Sequence, residues 1–254
     1  DVYKRQEGYI NTLKEKNEMA ERLHKEEVER IEMEKRLDAA RLELLKSQIN
    51  PHFLFNTLNM ISCMAKLEEA RTTERMISSL GNLFRYNLKT SEQIVPLERE
   101  LKVVQDYMYL QQMRFGQRIR YDTDCKPDTM EVLVPSFALQ PLVENAIYHA
   151  MEFMDDDGEL TVKGYLEGEE LVLSVTDNGC GMTKERAEAL LRGDFVQTGK
   201  GSGVGLRNVQ ERIQLVFGEK YGLRILSEPD EGTCVEIHLP AIPYEEMKER
   251  GMVS

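Results

Sequence analysis

A chain of 254 residues with 41% hydrophobic content is long enough for one or two packed domains and rather polar for a single large core. Its 33 Lys and Arg stand against 45 Asp and Glu, a formal charge of −12, which argues against a nucleic-acid partner, because affinity for a phosphate backbone needs clustered cations. No run approaches the roughly 18 consecutive apolar residues of a membrane span, and Cys63, Cys125, Cys180 and Cys234 form no C-x-x-C pair, which argues against a zinc knuckle or redox dithiol and for a reducing compartment. The amino end has neither an initiator Met nor a signal-peptide pattern. The expectation is a fragment truncated upstream, with residues 1–6 (DVYKRQ) a translated adapter scar and any membrane anchor lost with the missing part.

Residues 9–50 contain no Gly or Pro and are dense in Glu, Lys, Arg, Leu and Met, which predicts one long helix. Glu precedes a cation by one turn at Glu18 and Arg22, Glu21 and Lys25, Glu26 and Arg30, and Glu32 and Arg36. Ile10, Leu13, Ala20, Leu23, Ile31, Leu37, Leu44 and Ile49 trace an irregular heptad seam, so a parallel two-chain coiled coil is expected, with a single exposed helix as the alternative. Ile49, Phe53, Leu54, Leu58, Ile61, Met64 and Ala65 then give a broader apolar face, and a further helix capped near Thr72 runs through Met76, Leu80, Phe84 and Leu88. The two make an antiparallel hairpin that becomes a four-helix bundle on dimerisation. Pro96 opens a third helix through Leu101, Val104, Met108 and Met113, expected to pack on the following domain.

Beyond Gly116 the pattern alternates: a strand at 118–125, a helix at 135–150, strands at 160–166 and 171–177, a helix at 204–217, and closing strands at 222–227 and 233–239. Together these predict an α/β sandwich of one mixed sheet and one helical layer, followed by a disordered or frayed tail. The domains expected are a signal-relay coiled coil at 1–46, a dimerisation and phosphotransfer hairpin at 47–116, an ATP-binding domain at 117–243 and the tail at 244–254.

Three clusters carry chemistry: NPHFLFNTLN at 50–59, LVENAIYHA at 142–150, and DNGCGM at 177–182 paired with GSGVGL at 201–206. Asp177 ends a strand where Gly179 and Gly181 let the backbone turn, and its carboxylate can accept from an exocyclic amine such as that of adenine; an ordinary Asp-Asn-Gly turn is the alternative. The glycines of the second motif lead into a helix start that favours an anion, or else they form a linker. Residues 183–200 between them are polar and read as a lid, whose Lys184, Arg186, Arg192 and Lys200 contact phosphates or are simply solvated. Asn145, neutral and oxygen-bearing, suits a hydrated Mg²⁺ already ligated by phosphates. Glu144 is a second polar contact, a base or a solvent-facing carboxylate, and His149 lines the phosphate site or is structural. His52 follows Pro51, which should bend or loosen the helix where the imidazole projects, and Asn56 lies one turn later. A neutral imidazole is a competent nucleophile; a surface or core histidine is the alternative. His24 and His238 take the ordinary reading.

These residues resemble the sensor histidine kinases of the LytS and YesM type, over roughly residues 39–240. The phosphoacceptor box resembles SQINPHFLFNTLN at 47–59. The remainder resembles the Bergerat or GHKL ATP-binding fold shared with gyrase, Hsp90 and MutL, with its N box at 139–150, G1 box at 177–181, G2 box at 201–206 and a final Gly232-Thr233.

The resemblance implies a homodimeric protein-histidine kinase using ATP and Mg²⁺, the cytoplasmic portion of a bacterial membrane sensor whose partner is a response regulator. In it His52 accepts the γ-phosphoryl, Asn145 holds Mg²⁺, and Asp177 recognises adenine. Gly179, Gly181, Gly201, Gly203 and Gly205 shape the pocket, with Leu206 and Thr233 beside them, and Asn56 and Glu144 assist the chemistry. Phe53 stands where many such kinases carry an acidic residue. Tyr148 stands where others often have a phosphate-contacting Lys, which passes that role to Lys200 or Arg207, and Ala150 replaces a frequent Gly. A nucleotide-gated clamp without phosphohistidine, and a phosphatase with Asn56 orienting water, are the competing functions.

Overall fold

The computed structural model describes Lys25, Arg30 and Met33 together with residues 50–89, 93–151, 157–192 and 204–242. Those three residues are helical, and the rest of the expected relay coiled coil, like the tail at 244–254, lies outside the described residues. The chain divides into a unit of Asp1–Asn56 and a unit of Thr57–Ser254.

Asn50 is not helical, which corrects the helix expected through it. Its side chain accepts from the Phe53 amide at 3.1 Å, so it caps a new helix, α1 (Pro51–Leu67), with Pro51 at the first position, where a missing N–H costs nothing. Helix α1 ends in a Schellman turn: the Ala70 amide reaches the Ala65 carbonyl at 2.8 Å, the Glu69 amide reaches that of Lys66 at 3.1 Å, and Glu69 sits at φ 55. Helix α2 (Arg71–Lys89) follows, so Thr72 lies inside its first turn.

A short strand β1 (Ile94–Pro96) leads into α3 (Leu97–Phe115), which buries Leu97, Glu100, Leu101, Val104 and Met108 at helical spacing. As expected, this stripe joins the core of the α/β part. On its other side α3 meets α2, where Asp106 accepts from Ser79 at 2.7 Å and Asn82 at 3.0 Å and Arg75 lies 4.0 Å from the Tyr109 ring centre.

Strand β2 (Ile119–Cys125) is followed by β3 (Leu133–Pro135), which pairs antiparallel with β1. Helix α4 (Gln140–Asn145) continues as a π-helical turn, Ala146–Met151. The hairpin β4 (Gly158–Glu167) and β5 (Glu170–Asp177) then precedes α5 (Lys184–Arg192), α6 (Val204–Phe217), β6 (Gly222–Glu228) and β7 (Gly232–Pro240). The five-stranded sheet has the order β2-β4-β5-β7-β6, with β2 and β4 parallel and the other pairs antiparallel. One face of it packs Val162, Leu171, Leu173, Val175 and Ile237 with Leu139, Val143, Ile147, Val209 and Ile213, the expected single helical layer.

Two further expectations change, both in the α/β part. The helix placed at 135–150 begins only at Gln140, because Pro135 is paired with Ile94 in the β1–β3 ribbon and Phe137 sits at φ 60, which no helix accommodates. The lid expected from 183 is a helix over its first half: Thr183 caps α5, Ala187 is buried, and Leu191 packs on the core. Residues 193–203 lie outside the described residues.

Candidate functional site

The first candidate site sits on the opening turns of α1. His52 and Asn56 are both exposed, and the Asn56 amide nitrogen lies 3.3 Å from each ring nitrogen of His52. The Asn50 cap and Pro51 fix the helix start, so the imidazole projects from a defined position toward water, where a phosphoryl donor can reach it. The i, i+4 spacing read from sequence places the pair together as expected.

The second site lies in the α/β part. Asp177 ends the central strand β5, directly opposite Thr233 of β7. It is 8% exposed, and one oxygen accepts from the Gly179 amide at 3.0 Å. Burial pushes its carboxyl up to about 6, against the opposing pull of the Gly179 and Thr233 amides. This is a carboxylate held in a dry place by backbone donors, suited to accepting from a ligand amine. The loop around it is drawn tight by two glycines. Gly181 has φ +59 and Gly232 φ +93, and a Cβ on either would collide with a backbone carbonyl, that of Glu228 or of Asp177 respectively. Ser227 locks the same junction, accepting from the Met182 amide at 2.8 Å while its hydroxyl reaches the Gly232 carbonyl at 2.7 Å.

Asn145 closes α4 just before the π-helical turn, a distortion common at functional sites. Its side-chain nitrogen is buried and has no hydrogen-bond partner among the described residues. A Cβ on Gly205, in the first turn of α6, would lie 3.8 Å from that nitrogen, so the second glycine motif and Asn145 meet here. The two ends of a carboxamide are exchanged by a simple flip, so an unpartnered amide at this place fits a hydrated Mg²⁺ or its phosphate ligands. No group of three or more His, Cys, Asp and Glu that can hold a metal occurs among the described residues. The π-turn packs on β5 and α4 on α6, which brings Asn145, Gly205 and the end of β5 onto one side of the sheet.

Glu144 is half-buried; it accepts from Gln140 at 2.7 Å, and its charge adds to the burial that pushes Tyr107 up to about 12. Leu206 is a core side chain. Lys200, Gly201 and Gly203 lie outside the described residues, as does the side chain of His149, whose backbone belongs to the π-turn.

One residue in the site carried no assignment in the sequence reading. Asn178 accepts from the Glu159 amide at 2.7 Å and donates to the Asp157 carbonyl at 2.8 Å, clamping the start of β4 beside Asp177. Its place in the Asp-Asn-Gly triplet was the available signal.

Comparison with known proteins finds two family matches and several relatives. Residues 40–119 match the family described as histidine kinase, and residues 136–243 that of histidine kinase-, DNA gyrase B- and HSP90-like ATPases. The sensor histidine kinase YesM of Bacillus subtilis is 35% identical over 222 residues, 87% of this chain and 37% of that protein. The sensor protein LytS of Bacillus anthracis is 38% identical over 209 residues, 81% of this chain and 35% of its own length. The sensor histidine kinase BtsS of Escherichia coli K12 is 31% identical over 204 residues, 80% of this chain and 34% of that protein. The chain thus spans little more than a third of the curated relatives it matches.

Proposed function

Because this chain belongs to the sensor histidine kinases of the LytS and YesM type, we propose that it binds ATP in the α/β part and transfers the γ-phosphoryl to His52. An unprotonated imidazole nitrogen forms the new N–P bond as the bond to the β-phosphate oxygen breaks, ADP leaves, and the ring sheds its remaining N–H proton to restore a neutral phosphoimidazole. The protein's share in so loose a transition state is positioning and charge neutralisation. Asp177 accepts from the adenine amine, and Asn145 holds the magnesium-bound triphosphate beside Gly205. Mg²⁺, when bound, neutralises charge on the phosphates. Asn56 orients the His52 ring. The phosphoryl then passes to an aspartate of a response-regulator receiver domain.

The observation that carries this reading is the exposed His52–Asn56 pair on a capped helix start, within the stretch that matches the histidine kinase family. The expected homodimer is supported by an apolar stripe left in solvent along α1 and α2, with Met60, Ile61, Met64 and Leu67 on one and Met76, Leu80 and Phe84 on the other. Among the described residues no helix is long and apolar enough to cross a membrane. From the resemblance to sensor histidine kinases we further propose that the chain is the cytoplasmic portion of a membrane sensor.

The test is the chemistry of the phosphoryl formed with ATP. A phosphohistidine is acid-labile and base-stable and leaves the chain when a receiver domain is added. An acid-stable phosphate, or none in a folded dimer that binds ATP, contradicts the proposal.

A further inference from the structure

Several contacts converge on the short loop ahead of α4. Glu100 of α3 has no exposed surface. Its carboxylate accepts from the Tyr86 hydroxyl of α2, from the Phe137 amide at 2.8 Å and from the Leu139 amide at 2.9 Å. An ionised carboxylate only accepts, and three donors aimed at its two oxygens match that form. Burial pushes both groups up, Glu100 by desolvation and Tyr86 by desolvation reinforced by the neighbouring carboxylate.

The loop is held from other sides as well. Phe137 sits at φ 60, a conformation that a bulky residue keeps only where its neighbours enforce it. The Tyr86 ring lies 4.8 Å from its own, the Arg212 guanidinium of α6 lies 5.5 Å from its centre, and Arg212 donates to the Ser136 carbonyl. Three residues after Phe137, α4 begins with no side-chain cap of its own, and it ends at Asn145. The Leu139 amide, at the N-cap of that helix, and the Phe137 amide just ahead of it are therefore met by a carboxylate from a different helix.

We propose that Glu100 and Tyr86 are a positioning pair that sets the place of Asn145. Tyr86 marks the position of α2, Glu100 passes it to the amides of Phe137 and Leu139, and these fix the start of the helix carrying Asn145. A shift or rotation of α2 thereby changes the magnesium-dependent part of nucleotide binding without touching Asp177. This coupling rests on the assignment of Asn145 to the magnesium nucleotide made above.

Two conservative variants of the whole chain test it. Tyr86→Phe keeps the ring against Phe137 and removes only the hydroxyl, and Glu100→Gln keeps the shape and removes the charge. Affinity for a fluorescent ATP analogue is measured in excess EDTA and in Mg²⁺, with amide hydrogen exchange on the nucleotide-free chain. The expected result is unchanged affinity in EDTA, a gain on adding Mg²⁺ reduced about fivefold or more in each variant, and faster exchange at Phe137 and Leu139. The double variant should be no worse than Glu100→Gln, since both act through one contact.

A magnesium gain equal to that of the parent chain in folded Tyr86→Phe overturns the proposal, whether or not Glu100→Gln folds. Equal losses with and without Mg²⁺ also overturn it, because they mark a scaffold. If Asn145→Ala itself leaves the magnesium gain intact, the assignment of Asn145 falls and the proposal with it, and the fault is then located at Asn145 rather than at Glu100.

Discussion

Replacing Asp177 by Asn should make the nucleotide-free protein more stable and a weaker binder. The carboxylate is 8% exposed and its titration is moved from 3.8 to about 6, chiefly by burial. A shift of about two units corresponds to about 3 kcal/mol. The sign follows from the direction: an acid whose folded pKa lies above its unfolded value contributes stability that is complete below the unfolded value, near 3.8, and is lost as pH rises through about 6. At pH 7.5 the parent chain thus carries the cost of an ionised buried carboxylate, while Asn does not ionise and its oxygen still accepts from Gly179 and Thr233. Urea unfolding of both proteins without nucleotide, from pH 4 to 7.5, should show Asp177→Asn gaining about 3 kcal/mol relative to the parent across that range. Adenine-nucleotide affinity should fall about 10- to 100-fold, the worth of one hydrogen bond to a charged group. A stability gap that stays constant with pH, or narrows as pH rises, would refute the account of Asp177. So would undiminished affinity.

Other outcomes follow from the same geometry. Gly232→Ala should destabilise the protein by about 3 kcal/mol or more, because a Cβ there meets the Asp177 carbonyl at φ +93; a shift of less than about 1 kcal/mol in urea unfolding would mean that the β6–β7 junction yields easily. Leu80→Lys, on the exposed stripe of α2, should convert a dimer into a monomer by light scattering while leaving the circular dichroism of the α/β part unchanged; a variant that remains dimeric removes the stripe from the interface. Nucleotide binding by the parent chain should weaken as pH falls through about 6, where Asp177 takes up a proton and can no longer accept as an anion, a trend that Asp177→Asn should lack.

Local pattern carried much of this fold. The β4–β5 hairpin was legible because Leu160, Val162 and Gly164 alternate with polar residues ahead of a short polar turn, and α6 because its glycine motif runs straight into an amphipathic stripe. Asp177 was legible for a similar reason, as a carboxylate and glycine pair at a strand end. The start of α4 was not. Pro135 at the head of an apolar run looks like a first helical residue, and only its pairing with Ile94, some forty positions away, makes it a strand. The same distance hides Glu100. Its place in the buried stripe of α3 conveys nothing of the Tyr86, Phe137 and Leu139 donors that hold it. The break at Asn50 was half legible: Pro51 announced a disturbance, but the cap that turns a bend into a helix start depends on the side-chain geometry of Asn50.

Phosphoryl transfer to His52 from a nucleotide held by Asn145 is tested most directly by incubation with γ-labelled ATP and Mg²⁺. The parent chain should acquire an acid-labile label, and both His52→Gln and Asn145→Ala, shown to be folded, should not. A label that persists in His52→Gln would contradict the assignment of the acceptor, and one that persists in Asn145→Ala would contradict that of the nucleotide site.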